Sequence, residues 1–516
     1  MMIGRPTRDY DPGLPGALTV VHALADTAQR VPDRDAIICG DRRLTYRQYL
    51  SAVAGYAHTL SERGVAGGRV ALLMPNCIEV AVAALAGMAA RAQIAPLNAN
   101  FPAKALAPLL ADVDATVLVC TAETEELGRA VAAEAGVHHV DVFGPDALSL
   151  EPWQNDASLT LPEPLPGAED PSLIFFTGGT TGIPKGADHI HANEMAYARA
   201  ANTAWPLRRD EDILLMVAPN FHIWGFCYAV VSPVFLGATV DYLPAYQPDV
   251  ILGHFEENKV TVFAGGPAAL YVGLLASERF ADTDFSNLRL CLAGGSPCPE
   301  ALLERWERET GCPIMEGWGM SEGSPINCNP LDGPRKPGTV GPMLPRTEID
   351  IVDLETGTKI LPQGERGEIR VRGPQFIKGY RNRPQENAES FRDGWFYTGD
   401  IGRFDEDGYL SLVDRKKEMV LVGGYNVYPR EIDEVLQRHP AVMEAAAVGI
   451  PDEFRGETVK ACIALNPGAE ASEEDLLAYC REHLVKYKLP TVFEFHDVLP
   501  KTGPGKIDKL KLKGLR

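Results

Sequence analysis

The chain has 516 residues, 45% hydrophobic and 23% charged, enough for a substantial core and for more than one structural unit. Its 49 basic and 70 acidic side chains leave a net charge of −21, which excludes binding to nucleic acid through bulk electrostatics. Anionic ligands must then be gathered by local devices such as amide-rich turns and single lysines. The ten cysteines include no C-x-x-C pair and sit mostly in apolar runs such as Leu290-Cys291-Leu292, the pattern of reduced core thiols in a cytoplasmic protein. The N-terminal MMIGRPTRDYDPG lacks the apolar stretch of a signal peptide.

In chain order, residues 69–74 predict a buried strand, followed by an Ala-rich helix capped by Asn76 and reaching about Met88. Further strands are predicted over 172–176, 213–217, 260–263 and 288–292, each running into a Gly/Pro-rich turn. This alternation predicts an α/β fold whose large N-terminal domain holds doubly covered, largely parallel sheets. In such sheets ligands collect where strands end in loops. Residues 213–240 contain no Lys, Arg, Asp or Glu and are long enough to span a bilayer. Pro219, Asn220, His222, Gly225 and Pro233 interrupt that run, so it reads as a buried strand, a loop and a second buried element.

From about Asp393 the sequence becomes turn-rich, then charged over Asp414-Arg415-Lys416-Lys417-Glu418. Beyond lies an α+β pattern: a helix from Pro429 with Ile432, Val435 and Leu436 on one face, a strand over 459–465, and a helix opened by a Ser472/Asp475 capping box. The expected organisation is an N-terminal domain over 1–414, a hinge over 415–417, and a small mobile α+β C-terminal domain over 418–516.

The strongest motif follows the strand at 172–176: Thr177-Gly178-Gly179-Thr180-Thr181-Gly182-Ile183-Pro184-Lys185-Gly186. Glycines let the backbone approach an anion closely, threonine hydroxyls add donors, and Lys185 adds a positive charge. This is not a Walker A loop, because Lys185 is followed by Gly186 and not by Ser or Thr.

Here the sequence resembles the AMP-forming adenylating enzymes, comprising acyl-CoA synthetases, peptide-synthetase adenylation domains and luciferases. The T-G-G-T-T-G form looks like that of bacterial fatty acyl-CoA synthetases, with Gly178 where the family usually has Ser. Further motifs appear in family order over nearly the whole chain. Glu316-Gly317-Trp318-Gly319-Met320-Ser321-Glu322 resembles the family's G-Y-G-x-T-E, which implies adenine stacking by Trp318 and Mg²⁺ on Glu322. Any single Trp is more often core; the flanking glycines and the nearby carboxylate argue for the site. Gly294-Gly295-Ser296-Pro297 looks like the second nucleotide-contacting turn. Asp400, in Tyr397-Thr398-Gly399-Asp400, matches an aspartate that accepts hydrogen bonds from ribose.

The resemblance also places His222 and Trp224 beside the carboxylate, with Gly265, Gly266, Gly294, Gly295 and Gly319 lining the acyl pocket. Arg415 would meet the ribose and Lys417 would be the pivot of domain rotation, Lys416 being a solvated charge. Gly423, Gly424 and Tyr425 would flank the pantetheine arm. Lys506, in Pro500-Lys501-Thr502-Gly503-Pro504-Gly505-Lys506, is the catalytic lysine, while Lys509, Lys511 and Lys513 read as surface charges.

The implied reaction has two halves: a carboxylate attacks MgATP to give acyl-AMP and pyrophosphate, and the coenzyme A thiol then displaces AMP. Thr177, His222, Glu322 and Lys506 carry the chemistry, and ATP, Mg²⁺ and coenzyme A are the small-molecule requirements. The acid is expected to be a medium- or long-chain fatty acid, with an aryl acid, or an acceptor other than coenzyme A as in an amide synthetase, as alternatives. No nucleic-acid partner and no transmembrane span are expected; a homodimer is one assembly open to the chain.

Overall fold

A computed structural model describes residues 9–145, 147–177, 184–501 and 507–514. The chain divides into two compact units, one of residues 1–349 and 372–395, the other of 350–371 and 396–516.

The first unit carries two sheets. Their strands are short Val/Ile/Leu-rich runs, buried on both faces, as parallel strands flanked by helices must be. The eight-stranded sheet runs Gly323–Cys328, Ile314–Met320, Leu290–Ala293, Val262–Gly266, Ile213–Met216, Thr239–Tyr242, Asp35–Cys39, Arg42–Thr45. It is parallel except for the antiparallel pair at each edge. The six-stranded sheet runs His139–Phe143, Val117–Thr121, Arg69–Leu73, Gln93–Pro96, Pro171–Thr177, Lys185–Ile190, with only the last pair antiparallel. The helix Ile78–Ala89 buries every residue but Glu79, which explains its alanine content: small side chains let it pack on all sides.

One expectation changes here. Asn76 does not cap that helix; Cys77 stands at the N-cap. The buried Asn76 amide instead donates to the carbonyls of Val217, Ala218 and Leu243 and accepts from Asn220, because that loop has carbonyls with no strand partner. The charge-free run resolves into the strand Ile213–Met216, a helical stretch broken into Ile223–Phe226, a π-turn Cys227–Val231 and Ser232–Leu236, and the strand Thr239–Tyr242. No helix among the described residues is long and apolar enough to cross a membrane.

The second unit holds two further sheets. In one, Trp395–Phe404 pairs antiparallel with Gly367–Arg372 and with Leu410–Arg415. In the other, the order is Tyr425–Val427, Val420–Val422, Gly456–Leu465, Val442–Asp452, with Val492–Phe495 parallel to Gly456–Leu465. The helices Pro429–Gln437 and Glu473–His483 cover it, the latter with the expected Ser472/Asp475 capping box. The compact grouping therefore begins the second unit at Asp350, ahead of the expected hinge, and 416–419 is the connection between its two sheets. The sheets are tied by Arg366–Glu431 at 2.6 Å and by Asp414, which accepts from the Arg430 amide at 2.9 Å.

Candidate active site

In the first unit, Thr177 and Lys185 are cross-strand partners in the antiparallel pair Pro171–Thr177 and Lys185–Ile190, the strands that flank the Gly/Thr motif in sequence. Gly178, Gly179, Thr180, Thr181 and Gly182 lie outside the described residues. The Lys185 ammonium stands 4.9 Å from the centroid of the Tyr380 ring, a cation–π arrangement. The Tyr380 hydroxyl donates to Glu322 Oε1 at 2.6 Å. Asn387 holds the Tyr380 backbone in turn, accepting from its N–H at 2.6 Å and donating to its carbonyl at 2.8 Å. Sequence reasoning missed Tyr380; the only local signal was a Gly-Tyr pair at 379–380 among many such pairs.

Glu322 sits in the turn between Ile314–Met320 and Gly323–Cys328. That turn is braced from below. His189 is buried, which pushes its imidazole down to about 4, so it is neutral and its Nε2–H donates to the Ser321 carbonyl at 2.7 Å. Met320 and Ser321 are half-buried beside it. Glu322 is an oxygen donor whose described partner is a neutral phenol, and this donor chemistry fits Mg²⁺.

Trp318 is buried at 9% exposure on the strand Ile314–Met320. Its flanking glycines have packing causes of their own. A Cβ on Gly317 would stand 2.5 Å from Trp205, and one on Gly319 2.3 Å from the Ser324 hydroxyl. Glu316 accepts from the Cys298 amide at 3.1 Å and so anchors the end of the Gly294–Pro297 turn. Gly295 takes φ +78°, and Ser296 accepts from the Ala268 amide at 3.2 Å. The Gly294 amide donates to the Gly266 carbonyl at 3.1 Å, which brings Gly265-Gly266 against the turn.

His222 is exposed at the N-cap of the short helix Ile223–Phe226, its Nδ1 accepting from the Trp224 amide at 3.2 Å. Trp224 donates its indole N–H to the Ala264 carbonyl at 3.1 Å. Of the five glycines named for the acyl pocket, Gly266 and Gly294 face this indole. A Cβ on Gly294 would meet Cζ3 of Trp224 at 3.0 Å.

In the second unit, Asp400 and Arg415 face each other across the antiparallel pair, with Nε 2.6 Å from the carboxylate. Asp400 is buried at 6% exposure, and its amide donates to the Thr398 hydroxyl at 3.0 Å. Lys417 is exposed in the turn after Arg415. Lys416 is not simply solvated: it pairs with the buried Glu368 at 2.7 Å. Gly423 and Gly424 form the two-residue turn of a tight hairpin with φ +57° and +87°, values that favour glycine. Tyr425 beside them is exposed and stacks on Tyr487, ring centroids 4.7 Å apart.

Lys506 lies outside the described residues. Downstream, Lys509 is corrected from a surface charge to a partly buried ion pair with Asp433 at 2.9 Å, because its helix packs on the sheet. Burial pushes the Asp433 carboxyl up to about 6, against the pull of Lys509.

Residues 24–381 match the AMP-binding enzyme family, and residues 431–506 match the AMP-binding enzyme C-terminal domain. The chain is 34% identical to a long-chain-fatty-acid–CoA ligase of Bacillus subtilis (strain 168), with 96% of this chain and 94% of that one covered. It is 35% identical to a feruloyl-CoA synthase of an Amycolatopsis species, covering 93% and 96% respectively. Among solved structures it is similar to ATP-bound MatB from Rhodopseudomonas palustris, with TM-score 0.88, 32% identity, and 96% and 99% coverage. These likenesses extend over both units, so the chain belongs to the AMP-binding enzyme family, and its reaction class is that of an AMP-forming acid–CoA ligase.

Proposed function

We propose that the protein activates an apolar carboxylic acid with MgATP and passes the acyl group to coenzyme A. The observation that carries this reading is the Lys185–Tyr380–Glu322 cluster at the Thr177/Lys185 strand pair. An ammonium and a carboxylate beside a Gly/Thr-rich loop suit a polyphosphate together with its metal. When bound on Glu322, Mg²⁺ supplies neutralisation of phosphate charge.

In the first half-reaction a carboxylate oxygen of the acid attacks the α-phosphorus, a P–O bond forms, and pyrophosphate leaves with the bond it held. The 177–182 loop and Lys185 hold the phosphates, Trp318 stacks on adenine, Asp400 accepts from the ribose hydroxyls beside Arg415, and Lys506 offsets charge between acid and α-phosphate. His222 borders the carboxylate. In the second half-reaction the C-terminal lobe turns about Lys417, withdrawing Lys506 and presenting Gly423–Tyr425. The thiol sulfur attacks the acyl carbon, its proton goes to solvent, and AMP leaves. No protein nucleophile is needed. The ten unpaired cysteines support a reducing, cytoplasmic setting.

The test measures pyrophosphate, AMP and acyl-CoA from ATP, Mg²⁺ and coenzyme A across acids from acetate to long-chain fatty acids, benzoates and cinnamates. One class of acid should yield AMP and thioester together, and Lys506→Ala should lose adenylation by about 10²-fold or more. Acyl-AMP without thioester would reject coenzyme A as acceptor.

A further inference from the structure

We propose that Cys462, Glu494 and His496, in the second unit, form a binding site for one zinc-like divalent ion. None of the residues assigned to the adenylating reaction takes part, so the inference stands apart from that reading.

The three residues meet because two strands of one sheet run side by side. Val492–Phe495 is parallel to Gly456–Leu465, with Glu494 directly opposite Cys462. Paired residues project from the same face of a sheet, and so do residues two apart on a strand. His496 continues the alignment, its amide donating to the Ile463 carbonyl at 2.8 Å. A sulfur, a carboxylate oxygen and an imidazole nitrogen from the three side chains all lie within 4.8 Å of one another. Among the described residues no other three Cys, His, Asp or Glu side chains bring their donor atoms so close.

The donors are arranged as ligands around an ion, which an ion pair alone does not account for. His496 Nε2 stands 3.0 Å from Glu494 Oε1, yet the two are not aligned as a hydrogen bond, and this buried nitrogen has no hydrogen-bond partner. Nitrogen and oxygen ligands of one tetrahedral zinc stand about 3.3 Å apart and aim at the ion, not at each other. The His496–Glu494 separation is close to that edge. A zinc-bound sulfur stands about 3.5 Å from such neighbours, so Cys462 closes on the pair with a movement of about 1 Å.

The surroundings serve the same end. Lys460 Nζ holds the other oxygen of Glu494, Oε2, at 2.7 Å, which orients the carboxylate and leaves Oε1 to face His496. Cys462 is buried in a cluster with Val448, Ala464, Leu499 and Leu512, an apolar wall behind the sulfur. The Glu494 side chain keeps 45% exposure, which gives an ion its entry and a water the fourth position. A thiolate with an imidazole selects zinc-like ions over Mg²⁺ and Ca²⁺, which take oxygen ligands. On binding, the Cys462 thiol gives its proton to solvent as the sulfur–metal bond forms. The bound ion ties Val492–Phe495, which pairs with one strand only, to the interior of its sheet.

The experiment titrates the full-length, chelator-treated protein with Co²⁺, whose thiolate complexes absorb in the near ultraviolet and whose tetrahedral complexes absorb in the visible. One equivalent should produce both absorptions, and Zn²⁺ should displace the cobalt, as the order of divalent-ion affinities requires. Cys462→Ser should abolish the near-ultraviolet band. Glu494→Gln and His496→Ala should each weaken cobalt binding by about 10²-fold or more, since loss of even an outer partner of a ligand costs about 10–100-fold. Thermal unfolding confirms that each variant folds, and the Glu494 and His496 variants decide the matter if Cys462→Ser does not. A wild type with no cobalt band at millimolar Co²⁺ overturns the site. So does a band that survives in Cys462→Ser, or unchanged cobalt affinity in either of the other two variants.

Discussion

The turn of the large unit that carries Glu322 and the sheet of the second unit that carries Asp400 hold their carboxylates in opposite ways. Glu322 is half-buried and accepts from a neutral phenol, whose ring faces the Lys185 ammonium. In the proposed reaction this is the carboxylate that would hold Mg²⁺. Asp400 is buried and pairs directly with Arg415 at 2.6 Å, so its charge is already compensated. In the proposed reaction Asp400 accepts from the neutral ribose hydroxyls. The two proposed roles differ with the partner of each carboxylate more than with its residue type.

The largest expected effect breaks this contrast at its charged end. Glu322→Gln keeps the shape and the Tyr380 contact but removes the charge. Adenylation should fall by about 10²–10³-fold and respond to raised Mg²⁺ concentration in a pyrophosphate-release assay. Asp400→Asn in the same assay should raise KM for ATP and leave the Mg²⁺ midpoint where it was. Equal Mg²⁺ behaviour in the two variants would dissolve the distinction.

A smaller effect tests how Glu322 is held. Tyr380→Phe preserves the ring facing Lys185 and deletes one hydrogen bond to a charged group, a contribution of about 1.5–3 kcal/mol. kcat should drop by about ten-fold or somewhat more, with weaker Mg²⁺ dependence, while KM for the acid is unchanged. A Tyr380→Phe enzyme with wild-type Mg²⁺ titration would remove Tyr380 from the site.

A prediction on stability, not on catalysis, concerns a third carboxyl, Glu194, which has no cation beside it among the described residues. Burial pushes it up to about 8, and Ser172 donates to its Oε1 at 2.8 Å. The native state thus keeps a proton that the unfolded chain releases at its ordinary value of 4.5. Stability should be greatest below that value and fall by about 1.4 kcal/mol per pH unit until pH reaches about 8. Glu194→Gln should flatten that part of the Tm–pH profile. An unchanged slope in the variant would show that Glu194 is ionised in the fold.

Much of the architecture was legible in the chain. The strand runs at 172–176 and 288–292, the interrupted charge-free segment at 213–240 and the Ser472/Asp475 cap are local signals, set by side-chain period and backbone chemistry within a few residues. The Gly423-Gly424 turn is equally local in cause, since two consecutive positive φ values favour glycine.

Other features depended on which distant segments meet. Tyr380 reaches Glu322 across 58 residues, and His189 reaches Ser321 across 132. Neither pairing leaves a trace in local periodicity. Asn76 resembled a helix cap in sequence, yet the carbonyls of a remote loop claimed its amide. Lys416 and Lys509 read as solvated charges until Glu368 and Asp433 arrived beside them from other strands and helices. Trp224 shows the same division: the resemblance set it beside the carboxylate, and only the fold turned its indole toward Gly266 and Gly294. By itself the sequence determined which elements form and which chemical groups stand at their ends. The tertiary structure decided which of those groups are paired, compensated or filled in, because pairing depends on three-dimensional distance, which sequence separation does not encode.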